Sequence, residues 1–225
     1  YSRILPAKIG LLALGELMLQ EDRDKVNIEL FKRKAFDICE EVARKQREVE
    51  KEDGTTRENK ISTGLPTPYD EPTSTPKQEE YENRYKERYF GKIKRNKKDS
   101  QYYFEGLMSS LNLIRIMKVG KDYEVTFTEL GREFYALDNP ILSGHSVSKS
   151  FSFDEKKFLL EKIIPDRELE LSLIQGALKI IEANKEVSTD ITKVLDQQFQ
   201  EKIQEFCDAN KDHKYIEKLN EEIAR

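Results

Sequence analysis

Apolar and polar positions recur with a helical period along much of the chain, which predicts a protein built mainly from α-helices. At residues 4–20 the apolar side chains cover most of a helix circumference, so we expect a buried central helix there. At residues 26–51, Phe31, Ala35 and Ile38 fall on one face, and charged residues occupy the other faces. The pattern therefore predicts a second long helix that packs by one side only.

Residues 53–76 interrupt these helices with a segment rich in proline, glycine, threonine and serine. This composition cannot hold a helix or a strand, so we expect a long insert or linker. A charged helix is predicted at residues 77–90, with Tyr81, Tyr85 and Tyr89 at four-residue spacing. Such a row can stack nucleic-acid bases, but packing against the protein body is the commoner role of a tyrosine stripe.

A basic connector at residues 91–98 leads into a further predicted helix. Asp99 or Ser100 can cap this helix, which we expect to run to about Asn112. One face of the predicted helix is apolar and the opposite face is polar, so it would pack on the core and present polar groups to solvent.

Two strands and another helix follow. The strands are predicted at residues 114–118 and 123–127, with Gly120 in a turn that needs a positive φ angle. Thr128 can cap the next helix, and Pro140 marks its end. Further helices are predicted at residues 154–164, 166–184, 189–210 and 213–224.

Two short motifs frame the predicted hairpin. The helix before it ends in Leu107-Met108-Ser109-Ser110-Leu111-Asn112-Leu113-Ile114, and the exit from it reads Phe127-Thr128-Glu129-Leu130-Gly131-Arg132-Glu133-Phe134. Over residues 99–137 this order resembles the second half of a winged-helix domain, of the kind found in MarR-like and archaeal winged-helix regulators. Asn112 stands where the motif of those families has glycine, and the long insert before the recognition helix is atypical.

The resemblance implies a mainly α fold that binds duplex DNA. We expect a winged helix-turn-helix core with a small two-stranded β wing at residues 1–140, and a helical C-terminal region at residues 150–225. The polar face of the predicted recognition helix would read bases, since glutamine and asparagine pair bidentately with adenine and serine serves either base type. That face also carries Glu105, and the residues on it that we expect to contact DNA are Gln101, Tyr102, Ser109 and Asn112.

Basic residues flank the predicted helix on both sides. From Arg84 to Lys98 the local net charge is +7, although the whole chain of 225 residues carries -4. Phosphate contacts from such residues would supply affinity and register without reading sequence. The residues expected to make them are Lys92, Lys94, Arg95, Lys97 and Lys98 before the helix, and Lys118 and Lys121 on the wing.

The overall acidic charge leaves a second function open. A winged helix can also serve as a protein-interaction module in a larger complex without touching DNA, and the net charge outside Arg84 to Lys98 favours that alternative. The leading prediction remains a noncatalytic duplex DNA-binding module, either a regulator or the DNA-contacting subunit of a larger assembly.

Little in the sequence indicates catalysis or a cofactor. His145 lies in a serine-rich loop without a neighbouring acid, and the two histidines and two cysteines do not form a metal-ligand set. Cys39 and Cys207 lie far apart on apolar stripes, which predicts buried reduced thiols and a cytoplasmic protein. We expect no membrane span. The chain begins with Tyr1 rather than Met, so we expect it to be a piece of a longer protein.

The predicted C-terminal helices carry two apolar stripes. One holds Ile191, Leu195, Phe199, Ile203 and Phe206, and the other holds Ile216, Leu219 and Ile223. These stripes either pack on the helix at residues 166–184 or form a surface for a homodimer or a partner protein.

Overall fold

The computed structural model describes residues 4–52, 65–66, 75–97, 99–144, 151–183 and 191–209. Most of the predicted insert, Lys98, the end of the serine-rich loop and the helix predicted at 213–224 lie outside the described residues. The contacts divide the chain into two compact units, Tyr1–Phe158 and Leu159–Arg225. The first unit ends later than the boundary at about 140 that the sequence predicts. The domain bounds at residues 1–140 and 150–225 stay a prediction.

The described chain is mainly helical, with one five-stranded antiparallel sheet. In the first unit the elements are α1 (Leu5–Glu21), β1 (Val26–Asn27), α2 (Ile28–Glu52), α3 (Thr75–Tyr89), β2 (Ile93–Arg95), β3 (Tyr102–Phe104), α4 (Leu107–Ser110), β4 (Ile114–Val119), β5 (Asp122–Phe127), α5 (Glu129–Ala136) and α6 (Phe153–Phe158). In the second unit they are a π-helical segment (Leu159–Ile163), a short 3-10 turn (Ile164–Asp166), α7 (Glu168–Ala183) and α8 (Ile191–Ala209).

Helix α1 is the central element of the first unit, as its pattern predicts. Leu5, Ile9, Leu11 and Leu14 are fully buried, and apolar residues surround the helix on all sides. It packs against α2 and α5, and Pro6 is accommodated in its first turn, where no backbone N–H is needed. The predicted buried helix is therefore confirmed.

The sheet is larger than the predicted two-stranded wing. Its strand order is β1-β5-β4-β3-β2, and every neighbouring pair is antiparallel. The predicted hairpin is confirmed as β4 and β5, which join through Gly120 at a φ of 62°. A second hairpin, β2 and β3, extends the sheet on the far side of β4.

The helix predicted from Asp99 to Asn112 is wrong over most of its length. Tyr102–Phe104 is strand β3, and the helical part is only α4, Leu107–Ser110. Three consecutive aromatic residues favour an extended backbone, and here they pair with β2, inside the segment predicted as a connector. Asp99 accepts a hydrogen bond from the Gln101 N–H at 2.9 Å, so it closes a hairpin turn and does not cap a helix.

Helix α5 begins as the sequence predicts. The Thr128 hydroxyl accepts a hydrogen bond from the Gly131 N–H at 3.0 Å and donates one to the Asn112 carbonyl at 2.6 Å. A Cβ atom on Gly131 would lie 1.8 Å from the carbonyl oxygen of Leu113. Glycine in the motif therefore lets the first turn of α5 press against the chain entering β4.

The tyrosine row on α3 packs mainly on the protein body. The Tyr85 hydroxyl is buried and donates to the Cys39 sulfur at 3.1 Å, and both Tyr81 and Tyr85 meet the Phe36 ring edge-on. Burial raises the pKa of the Cys39 thiol to about 12 and raises the pKa of Tyr85 as well. The prediction of buried reduced thiols is confirmed, since Cys39 and Cys207 are both buried and free.

A buried polar cluster joins α1, α5 and α6. The Lys8 ammonium donates to the carbonyls of Phe134, Tyr135 and Leu137, which are the unsatisfied acceptors at the end of α5. It also lies 3.4 Å from a carboxylate oxygen of Glu155, whose side chain is fully buried. Lys8 thus serves as both the C-terminal cap of α5 and the counter-charge of Glu155.

The Glu155 carboxylate has partners on every side. It accepts from the Asn139 amide at 2.9 and 3.1 Å and from the Ser152 N–H at 2.9 Å, while the Ser152 hydroxyl accepts from the Glu155 N–H. Ser152 and Glu155 therefore form a capping box at the start of α6. Burial raises the pKa of Glu155 and lowers the pKa of Lys8, because both charged forms lose water.

In the second unit α7 and α8 pack against each other as an antiparallel pair. Gly176 lies beneath the Gln198 side chain, where a Cβ atom would approach the amide oxygen to 2.9 Å. Of the two predicted alternatives, packing of α8 on the helix at residues 166–184 is observed. Leu178, Ile181 and Phe199 stay 61%, 45% and 37% exposed.

Breaking the buried pair should destabilise the protein strongly. Glu155→Gln and Lys8→Met should each lower the free energy of unfolding by about 3–5 kcal/mol, because each leaves a buried charge without its partner. The double variant should lose less than the sum of the two losses. Urea unfolding followed by circular dichroism measures these changes. The control is Glu41→Gln, which removes an exposed ion pair with Lys45 and should change the stability little. An equally small effect of Glu155→Gln would contradict the stabilising role of the buried Lys8–Glu155 pair.

Candidate nucleic-acid interface

The two hairpin turns lie side by side at one end of the sheet. Tyr102 pairs with Ile116 across antiparallel strands, so residues before Tyr102 run beside residues after Ile116. The turn between β2 and β3 therefore neighbours the turn between β4 and β5. Arg95, Lys97, Lys118 and Lys121 belong to these two turns or to the adjoining strand ends, and we call them the hairpin-tip cations.

The first turn is held by a local hydrogen-bond network. The Asp99 carboxylate accepts from the Gln101 N–H and from the Asn96 side-chain amide, at 2.9 and 3.0 Å. The backbone of Asn96 bonds to Gln101 and Ser100, and Ser100 has a φ of 61°. Both oxygens of the Asp99 carboxylate thus accept hydrogen bonds from within its own turn.

The hairpin-tip cations are exposed and available to an anion. Arg95 donates from Nε to the Ser100 carbonyl at 3.4 Å, and its side chain is exposed. In the part of the chain that the structure describes, none of the four cations is in an ion pair. Asp122 is the exposed carboxylate at the second turn. The positive charge at this end of the sheet therefore exceeds the negative charge.

The other predicted phosphate contacts are placed differently. Lys92 and Lys94 are exposed on and just before β2, away from the turns, and Lys94 forms an ion pair with Glu105. The hydrogen bond from Lys94 holds the pKa of Glu105 below its ordinary value. Lys98 lies outside the described residues.

The predicted base-reading residues do not share one helical face. Gln101 is exposed at the first hairpin turn, and Tyr102 packs edge-on against Tyr123, with ring centroids 5.3 Å apart. The Ser109 hydroxyl accepts from the Phe104 N–H at 2.9 Å, which ties α4 to β3. Asn112 occupies the left-handed region with a φ of 54°. Of the four, Gln101 in the first hairpin turn and Tyr102, the cross-strand partner of Arg95, lie beside the hairpin-tip cations.

Sequence reasoning missed two residues of the sheet, Tyr103 and Arg115. Both lie on the face opposite the core, where Tyr103 is the cross-strand partner of Lys94 and lies beside Arg115. Apolar and polar residues alternate along β4, and this pattern could have placed Arg115 on the outer face. Tyr103 was assigned to a helix, so the same alternation was not considered for β3.

An open groove lies at the other end of β5, with a volume of about 600 Å³. Phe127 and Tyr135 form one wall, with ring centroids 5.3 Å apart, and Arg23 and Arg132 line its polar side together with Asp22 and Asp24. Gly15 makes room for the Tyr135 ring against α1, since a Cβ atom there would lie 2.6 Å from it. The mixed charges of the groove select no single class of ligand.

Within the described ranges no three histidine, cysteine, aspartate or glutamate side chains are grouped so that they could hold a metal ion. The helices of the same ranges include none that combines the length and apolarity required to cross a membrane. Comparison with protein-family models, curated proteins and solved structures finds no match for this chain.

The position of Asn112 gives a test of its role. If this residue serves the backbone and not a base, Asn112→Gly should keep nucleic-acid affinity and leave the protein as stable or slightly more stable, because glycine tolerates a positive φ. Asn112→Ala should lose about 1 kcal/mol of unfolding free energy. Thermal unfolding and fluorescence anisotropy with a labelled duplex measure both properties. A loss of affinity in Asn112→Gly with unchanged stability would restore the base-reading role.

Proposed function

We propose that this chain is a noncatalytic duplex DNA-binding module of the winged-helix type that contacts DNA through the hairpin-tip cations. The observation that carries the proposal is the register between β3 and β4, which brings two positively charged hairpin turns to one end of the sheet. The β4–β5 hairpin and the Thr128-capped helix after it support the winged-helix resemblance. The protein would act as a regulator or as the DNA-contacting subunit of a larger assembly.

The mode of contact differs from the one expected of a recognition helix. Helix α4 has four residues, too few to lie along a groove. A two-stranded ribbon also fits the major groove of DNA, and the protein has two such hairpins beside each other. In this mode Arg95, Lys97, Lys118 and Lys121 bind phosphates, and Gln101 contacts a base edge.

Charge reversal tests the proposed contacts. Changing Arg95, Lys97, Lys118 and Lys121 to Glu should weaken binding to duplexes of any sequence, because phosphate contacts carry no sequence information. The slope of log affinity against log salt should become shallower by about 3 to 4, at about 0.9 per lost phosphate contact. Fluorescence anisotropy at several salt concentrations measures both effects.

The matched control reverses four exposed cations elsewhere in the first unit, namely Arg33, Lys45, Lys156 and Lys157. It changes the net charge by the same amount, so it reports the effect of overall charge alone. An equal loss of affinity in the two variants would show that the hairpin tips are not the contact surface. Unchanged affinity in the hairpin-tip variant would exclude the hairpin-tip cations from DNA binding.

A protein-interaction module is the second candidate, and the exposed apolar side chains of the second unit favour it. Leu178, Ile181 and Phe199 lie on the α7–α8 pair and are more than a third exposed. A pair of helices has apolar surface left over after packing together, and a second pair from another copy would cover it as a four-helix bundle. We infer a homodimer through this surface.

Sedimentation tests the homodimer. The wild type should sediment with twice the chain mass, and Leu178→Lys with Ile181→Lys should sediment as a monomer and stay folded, because both side chains are already exposed. The control is Gln175→Lys with Glu182→Lys, at exposed polar positions of α7. A wild type that stays monomeric at all concentrations would exclude the dimer, and a control that also dissociates would assign the effect to charge.

A further inference from the structure

One face of the five-stranded sheet has no fully buried side chain among the described residues, and we call it the open face. Along the strands burial alternates, with Phe104, Ile116 and Val125 buried on the core face. On the opposite face the described side chains are half-buried or exposed. The residues that define this open face are Lys94, Tyr103, Arg115, Met117 and Thr126.

A row of three side chains crosses the open face at right angles to the strands. Lys94 is the cross-strand partner of Tyr103, and the register of β3 with β4 places Tyr103 beside Arg115. Neighbouring strands lie about 4.8 Å apart, so such side chains are in mutual reach. The row therefore presents one aromatic ring with a cation on each side.

The charges around this row confine where an anion can lie. Lys94 forms an ion pair with Glu105, and a phosphate at Lys94 would displace that carboxylate. Glu124 is the half-buried cross-strand partner of Met117. Arg115 is exposed and forms no ion pair with another described residue. A chain of phosphates would thus follow the row from Lys94 past Tyr103 to Arg115, with the acidic groups on either side of it.

We propose that the open face binds an unpaired strand of nucleic acid, with one base stacked on Tyr103 and its flanking phosphates on Lys94 and Arg115. A flat aromatic ring between cations matches the face of an exposed base and the phosphodiester on each side of it. In a duplex the base faces are covered by their neighbours in the stack, so this contact selects an unpaired strand. The surface is separate from the hairpin tips, and the inference does not depend on duplex binding.

The test compares labelled oligomers of about 15 nucleotides, a length that covers typical single-strand sites. Oligodeoxythymidine, oligouridine and a duplex of the same length are titrated against the full chain by fluorescence anisotropy. Tyr103→Ala should weaken binding of the unpaired oligomers by about 5- to 150-fold, the range for one lost stacking contact. Tyr103→Phe should keep it within about twofold, since the ring and not the hydroxyl makes the contact.

The cations are tested in the same assay. Arg115→Gln should weaken binding of the unpaired oligomers, and the matched control Arg132→Gln, an exposed arginine on α5, should not. Weaker binding of either the thymidine or the uridine oligomer by Tyr103→Ala supports the inference and shows whether the bound strand is DNA or RNA. No effect on both, an equal loss in Tyr103→Phe, or an equal loss for the duplex overturns it.

A second variant reports stacking without removing the ring. The chain contains no tryptophan, so Tyr103→Trp introduces a single one on the open face. Its fluorescence should be quenched when an unpaired oligomer binds and should stay unchanged with the duplex. An unquenched tryptophan in the presence of bound oligomer overturns the inference. If an unpaired oligomer quenches this tryptophan but the protein does not bind duplex, this inference is supported and the proposed duplex-binding function is contradicted.

Discussion

The fold of the first unit depends on a lysine and a glutamate that have both been withdrawn from water. Lys8 on the central helix binds the last carbonyls of α5 and lies against the Glu155 carboxylate, which Asn139 and Ser152 complete. Removing two charges from water costs several kcal/mol per ion, and the attraction and hydrogen bonds must offset that cost together. Because Lys8, the acceptor carbonyls and Glu155 lie on or at the end of three different helices, the cluster forms only when α1, α5 and α6 are all in place.

The buried Lys8–Glu155 cluster is linked to the sheet by one close contact between α5 and the chain before β4. The end of α5 is held by Lys8, while its first turn is held by Thr128 and pressed onto Leu113 at Gly131. That contact fixes the chain as it enters β4. Strand β4 belongs to the second hairpin and also pairs with β3 of the first, so it sets the register between the two hairpins. The positions of the hairpin-tip cations and of the open face thus follow from a core that contains none of those residues.

Competition between local preferences explains the main error in reading the sequence. The segment before β4 carries an apolar stripe with helical spacing, yet Tyr102, Tyr103 and Phe104 are also strong strand formers. What decides between them is the availability of β2 as a hydrogen-bonding partner, with Ile93 opposite Phe104. The partner lies in a run of lysine and arginine that has no strand pattern of its own, so its pairing could not be read locally. The Asp99 turn then served as hairpin closure, a role that the same residue type fills as readily as a helix cap.

The sequence by itself determined the elements whose signals are local and unopposed. The apolar circumference of α1, the single apolar face of α2, the Gly120 turn and the Thr128 cap each depend on residues a few positions apart. Tertiary structure alone decided the pairing of Lys8 with Glu155, the extension of the sheet by β2 and β3, and the juxtaposition of Arg95 and Lys118. These depend on contacts between residues far apart in the chain, whose free energy appears only once the core has brought them together.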